Sequence, residues 1–197
     1  YNYQKIVVLQ KEDEETINSI SNFKDVKICI QKNRGYGNAL IEGLNSINTD
    51  FFCIINADGS MDPKYLSQML EDCRKKDLVF ASRYLKGGGS DDDNLITLVG
   101  NKCFSFLGNI LFKLKLSDIL YTYIVGNTHS IKNLGLKYYD FRICVEIPIL
   151  AKIKKLHYIS IPSKERKRIG GVKKVNAFKD GFLILTAIIS LFIKKKF

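Results

Sequence analysis

Four short segments carry residue types that could bind or transfer a charged group. Asn56–Ser60 (NADGS) follows the apolar run Phe51–Ile55. Its Asp58 could reach a divalent cation that in turn binds a diphosphate, since magnesium sites of this kind use one or two carboxylates completed by substrate phosphates. Asn33–Gly37 (NRGYG) combines glycines, which allow close backbone approach, with the charge of Arg34. Its spacing is neither that of a P-loop nor that of a dinucleotide fingerprint. Ala81–Tyr84 (ASRY) ends another apolar run, and Arg83 could grip a phosphate bidentately. Lys164–Lys174 (KERKRIGGVKK) sets Arg166, Arg168, Lys173 and Lys174 around two glycines, which would let a loop fold over an anion. Singly, each segment has a plainer reading: an Asp-Gly turn, a loop entering a helix, a surface arginine, a solvated charge run.

The elements that must position these segments read as alternating strands and helices. Short β-branched or apolar runs predict strands at Lys5–Leu9, Val26–Ile30, Phe51–Ile55, Asp77–Ala81 and His157–Ile161. Helical stretches are expected near Thr16–Asn22, at Asn38–Ser46, at Lys64–Lys75 behind Pro63, at Leu95–Leu116 and at Phe141–Lys155. This alternation predicts an α/β fold with a mostly parallel sheet flanked by helices. In such sheets ligands gather at the carboxyl ends of the strands, where NADGS, NRGYG and ASRY all fall. Gly87–Asp93 (GGGSDDD) is either a mobile lid or a flexible connection.

Composition bounds the partners. Of the 197 residues 46% are hydrophobic and 26% charged, which excludes a disordered or fibrous chain. The net charge of +11 asks for an anionic partner. The basic run contains no aromatic residue, so nucleic acid is not expected. Five cysteines without a C-x-x-C pair, and two histidines, argue against a disulfide framework and against a multi-histidine metal site.

Phe182–Ile193 (FLILTAIISLFI) is almost wholly apolar and leads into Lys194, Lys195 and Lys196. It is shorter than the roughly 20 residues of a membrane span. It reads either as a helix lying on a membrane, its lysines meeting lipid phosphates, or as a buried terminal helix. The expected division is residues 1–175 for the α/β unit and 176–197 for the apolar helix.

The four segments together, in order and spacing, resemble the family-two GT-A glycosyltransferases, in particular the dolichyl- and polyprenyl-phosphate sugar synthases. NRGYGNALIEGL is similar to the family's N-x-G-x-G-x-A-x-x-x-G segment, and NADGSMDP to its D-x-D-x-x-x-x-P metal motif. DLVFASRY resembles D-x-V-x-x-S-R-Y, NKCFSFLGNILFKLKLSD a helix leading to an Asp (here Asp118), and IPSKERKRIGGVKK the segment P-x-x-x-x-x-R-x-x-G-x-S-K. The chain departs from the pattern at Asn56, which replaces the first acid of the metal motif, and at Lys173, which replaces the Ser of the S-K pair. Leu9 and Gln10 stand where the family carries acids, and nothing matches its opening P-x-x-N-E strand, so about 30 residues, one βα segment, are expected to be missing.

The resemblance implies inverting transfer of a sugar from a nucleotide diphosphate to a polyprenyl or dolichyl phosphate on the cytoplasmic face of a membrane. It implies Asp58 as ligand to Mg²⁺ or Mn²⁺, with Asn33, Gly35, Gly37, Asn56 and Asp58 on the donor side. Arg83, Arg168 and Lys174 would bind the acceptor phosphate, and Asp58, Arg83 and Arg168 would form the catalytic set. Asp118 would orient one of the arginines, and Glu146 falls where relatives carry an acid. A phosphate acceptor is already anionic, so no catalytic histidine is required. The alternative is a truncated or degenerate homologue that binds nucleotide without turnover.

Overall fold

A computed structural model describes residues 3–171 and 175–195. The central sheet has the order β3 (Phe51–Ile54), β6 (Ile124–Asn127), β4 (Leu78–Ser82), β7 (Tyr158–Pro162). β4 and β7 pair in parallel, and β6 runs antiparallel to both of its neighbours. Three of the four strands therefore point the same way. A separate parallel pair joins β1 (Lys5–Leu9) to β2 (Val26–Ile30), and a two-residue pair joins β5 (Gly89–Ser90) to β8 (Lys164–Glu165).

The side-chain alternation of β4 divides the core. Leu78 and Phe80 join a large cluster on one face. Val79 and Ala81 join a smaller cluster on the other, with Met61, Met69 and Tyr123. All five residues of β4 are buried, as a strand covered on both faces requires. The smaller cluster packs under α3 (Leu66–Cys73), which follows a 3₁₀ turn at Pro63–Tyr65 whose first amide is capped by Asp62. The larger cluster draws on α2 (Tyr36–Asn45), α4 (Leu95–Phe112), α5 (Thr128–Lys132), α6 (Ile143–Ile153) and α7 (Ala177–Lys195). The short α1 (Glu14–Ile20) has no fully buried residue.

At the end of the sheet where β4 begins, Asp77 ties three elements together. Its carboxylate accepts from Ser130 Oγ and from the His157 amide, each at 2.8 Å. Its carbonyl accepts the Asn127 amide, also at 2.8 Å.

The predicted helix at 95–116 stops at Phe112. Lys113 turns into the left-handed region, and the Asn109 side chain donates to the Leu116 carbonyl and accepts its amide. The chain thus doubles back and buries Leu114 and Leu116. The terminal helix packs one side into the protein and leaves the other exposed. Ile184, Ala187, Ile188 and Leu191 are buried in the main core, while Phe178, Phe182, Leu185, Ile189 and Ile193 face outward.

Candidate active site

β3, β4 and β7 deliver their carboxyl ends to one place. After β3 the chain turns at Gly59 (φ +79°), and the Ser60 amide and hydroxyl both donate to Asp58 Oδ1, at 3.0 and 2.7 Å. Beyond β7 and β8 the basic segment lies against this turn. The Arg166 amide donates to the Ser60 carbonyl and the Ile169 amide to the Asp58 carbonyl, each at 2.8 Å. This zipper places Arg168 Nη1 3.7 Å from Asp58 Oδ2. The same guanidinium donates from Nε and Nη2 to the Asp92 carboxylate, at 3.2 and 3.0 Å. Asp92 belongs to the Gly87–Asp93 loop, so that loop is fastened to the basic segment by β5–β8 pairing and by this ion pair.

Arg83, at the end of β4, is only 8% exposed. Its Nε and Nη2 grip Asp118 at 2.7 and 3.1 Å, and Nη1 donates to Glu165 at 3.2 Å. Asp93 adds a fourth charge at 3.7 Å, and the Tyr121 ring lies 4.7 Å from the guanidinium carbon. Burial works against the Arg83 charge, but Asp118 and Glu165 overcome it and hold its pKa well above the ordinary arginine value. Burial raises the Glu165 pKa, against the pull of Arg83. The expectation that Arg83 faces an acceptor phosphate meets a different arrangement, because its fork is directed at carboxylates. Asp118 does orient an arginine, and that arginine is Arg83.

The NRGYG glycines serve close packing. A Cβ on Gly35 would lie 2.2 Å from the Tyr139 carbonyl oxygen, and one on Gly37 2.2 Å from that of Tyr138. The Asn38 amide donates to the Tyr139 carbonyl at 3.0 Å, so the start of α2 is covered by this backbone. Glu146 holds the covering segment by accepting the amides of Lys137 and Tyr138. Asn33 is exposed in the turn before Gly35.

Tyr36 is the site residue that the glycine pattern concealed. Its hydroxyl donates to Asn56 Oδ1 at 3.3 Å and lies 2.6 Å from Thr122 Oγ1, and its ring stacks on Phe141. Burial pushes its pKa upward, so it stays a neutral donor. The signal was a tyrosine between two close-packed glycines, where the helix has room to approach the β3 loop. Lys174 lies outside the described residues.

Among the described residues no three His, Cys, Asp or Glu side chains cluster as metal ligands. Asp58 and the Asn56 amide nevertheless offer hard oxygens on one turn. That donor set fits a Mg²⁺ or Mn²⁺ ion held chiefly by a diphosphate.

The fold thus brings an acidic turn and a cationic segment together at the carboxyl ends of its strands. Residues 1–145 match the family model for glycosyl transferase family 2, and the chain belongs to that family. The dolichol-phosphate mannosyltransferase of Pyrococcus furiosus is 24% identical over 181 residues, covering 88% of this chain and 51% of that protein. The chain thus spans about half the length of this curated relative. Among solved structures, glucosyl-3-phosphoglycerate synthase from Mycobacterium tuberculosis shares the fold. Its complex with Mn²⁺, UDP and glucosyl-3-phosphoglycerate superposes with a TM-score of 0.68 at 12% identity, covering 94% of this chain and 67% of that one. Its complex with phosphoglyceric acid gives 0.66 at 11% identity, with the same coverage.

Proposed function

We propose that this chain moves a sugar, with inversion, from a nucleotide-diphosphate sugar to a polyprenyl or dolichyl phosphate at the cytoplasmic face of a membrane. The observation that carries the reading is the meeting of Asp58 and Arg168, 3.7 Å apart, at the carboxyl ends of the parallel strands. The mannosyltransferase relative supports the lipid-phosphate acceptor. Mn²⁺ and UDP in the structural neighbour support the donor class and the metal.

Asp58, with Asn56 beside it, would hold Mg²⁺ or Mn²⁺. That ion, when bound, supplies positive charge to the departing diphosphate. Tyr36 fixes the Asn56 amide, and Ser60 fixes Asp58 Oδ1, which leaves Oδ2 facing Arg168. Asn33, Gly35 and Gly37 set the donor side by allowing α2 to seat Tyr36. Arg168 and Lys174 receive the acceptor phosphate and offset its repulsion from the donor. Arg83 acts one step back: with Asp118 it anchors Glu165, and so the start of the segment that carries Arg168. The acceptor oxygen is already anionic, so the residues position and neutralise and abstract no proton.

The test is transfer of labelled sugar from a panel of nucleotide sugars to polyprenyl phosphate with Mg²⁺ or Mn²⁺, read in the lipid extract. Label that disappears in Asp58→Ala supports the reading and names the donor. Nucleotide binding without label from any donor supports the non-catalytic homologue, for which Asn56 in place of an acid is the specific argument.

A further inference from the structure

At the end of the sheet opposite Asp58, the chain gathers cations around a second hollow. A cleft of about 230 Å³ is walled by Lys76, Lys115, Lys152 and His157. They come from three separate connections. Lys76 lies in the turn between α3 and β4, Lys115 in the reversal after α4, and Lys152 and His157 between the last turn of α6 and the start of β7. The floor is apolar and fixed in place. Leu114 and Leu116 are buried, the Tyr158 hydroxyl donates to the Leu114 carbonyl at 2.9 Å, and Asn109 holds Leu116 by its amide and its carbonyl.

No carboxylate lines this cleft. The lysine ion pairs among the described residues are those of Lys5, Lys64 and Lys164, so Lys76, Lys115 and Lys152 keep their charge unneutralised. Asp77 stands at the edge, 3.7 Å from His157 Nδ1, with its carboxylate taken up by Ser130 Oγ and the His157 amide. Helix dipoles explain part of the gathering. α3, α4 and α6 all end here, and their last turns attract cations such as Arg74, Lys113 and Lys152. That attraction fades beyond the last turn and does not account for Lys76 and Lys115, each three residues past the end of its helix.

The backbone adds an independent sign. The described non-glycine residues with positive φ are all lysines: Lys113 at 55°, Lys115 at 60° and Lys155 at 58°. Lys115 lines the cleft, and Lys113 and Lys155 directly precede Leu114 and Leu156 in its wall. Glycine or asparagine would occupy the left-handed region at lower cost, so lysine is held there against its backbone preference. Conformations of this kind cluster at sites that clamp a ligand.

We propose that this cleft is a second anion site, remote from the transfer centre, that takes a small soluble phosphorylated compound. Lys76, Lys115 and Lys152 surround the phosphoryl oxygens, His157 adds an imidazole donor, and the leucine floor takes the organic part. The volume lies below the roughly 300–1,000 Å³ of ordinary ligand pockets, which fits one phosphoryl group with a small organic part rather than a nucleotide. The five residues of β4 span about 17 Å at roughly 3.3–3.4 Å each, so an occupant here touches neither Asp58 nor Arg168. None of the lining residues belongs to the exposed large hydrophobics, so the rim offers nothing to an acyl chain.

The probe is phenyl phosphate, titrated into the full nitrogen-15-labelled chain at neutral pH without metal or nucleotide, beside sodium chloride at matched ionic strength. Saturable amide shifts are expected at Lys76, Lys115, Lys152 and His157, with inorganic phosphate competing at the same positions. Lys115→Gln/Lys152→Gln should weaken binding there tenfold or more, and Arg168→Ala should leave it unchanged. Lys76→Gln gives the same loss in smaller measure, threefold or more, should the paired change disturb the fold. The proposal is overturned if sodium chloride moves these amides equally, if shifts saturate only around Asp58 and Arg168, or if the lysine substitutions leave the affinity unchanged. Phosphatidic acid vesicles that bind through these lysines while phenyl phosphate shifts nothing would overturn the soluble source. No readout involves sugar transfer, so the result is separate from the transferase reading.

Discussion

Arg168 stands between two carboxylates, its Nη1 3.7 Å from Asp58 and its Nε and Nη2 bonded to Asp92. The guanidinium thus occupies the neighbourhood in which a metal-bound diphosphate would have to settle. Arg168→Ala is expected to lower sugar transfer by about 10²–10³-fold, the loss typical of one transition-state donor. It should also tighten Mn²⁺ binding without nucleotide, because a positive charge leaves the side of Asp58. Electron paramagnetic resonance of free Mn²⁺ measures the second effect, and unchanged Mn²⁺ affinity would detach Arg168 from the metal position.

The buried Arg83–Asp118 fork is a structural clamp. Asp118→Ala leaves Arg83 with one anchor fewer inside the protein and should cost about 3–5 kcal/mol in urea unfolding. Arg83→Met/Asp118→Leu should lose less than the sum of the single changes, because the two residues share one interaction. Strict additivity would show that the fork contributes nothing beyond its separate parts.

Two glycines should respond in opposite directions. Gly37→Ala drives a methyl to 2.2 Å from the Tyr138 carbonyl oxygen and should destabilise by about 1–3 kcal/mol. Gly100→Ala, within α4 and with nothing inside 4 Å of the added carbon, should stabilise by about 0.5–1 kcal/mol. Thermal unfolding of the two variants beside the parent decides both.

Asp140 links acid stability to the segment that covers α2. Hydrogen bonds from the Arg142 side chain hold its pKa below the ordinary value of 3.8. A depressed carboxylate adds stability that is complete above 3.8 and fades as pH falls through the folded-state value. Asp140→Asn should therefore flatten the acid limb of the stability curve and leave the difference from the parent constant near pH 7. A parallel offset at every pH would argue against a titration effect.

The sequence spoke clearly where chemistry and periodicity coincide. The apolar run Leu78–Ala81 is the core of β4, and NADGS and the basic segment meet because both leave strands that point the same way. β6 was hidden because Ile124–Asn127 is a four-residue strand with no turn signal before it, reversed between two parallel neighbours. The role of Arg83 was hidden for another reason. An arginine after a strand reads the same whether it awaits a phosphate or lies among carboxylates, and Asp118 and Glu165 come from distant parts of the chain. The glycines of NRGYG allow close backbone approach, and the backbone they admit is that of Tyr138–Asp140. That contact is non-local and leaves no trace in spacing.

The Asp77 carboxylate fastens β4 to β7 and to the start of α5 at the end of the sheet remote from Asp58. The Arg83–Asp118 fork holds the other end of β4, so that strand is pinned at both ends. Amide hydrogens at Leu78 and Val79 should exchange faster in Asp77→Ala, while that of Arg83, bonded to Asp118, keeps its protection. What is left to rearrange is then the loops beyond the strand rather than the strand itself.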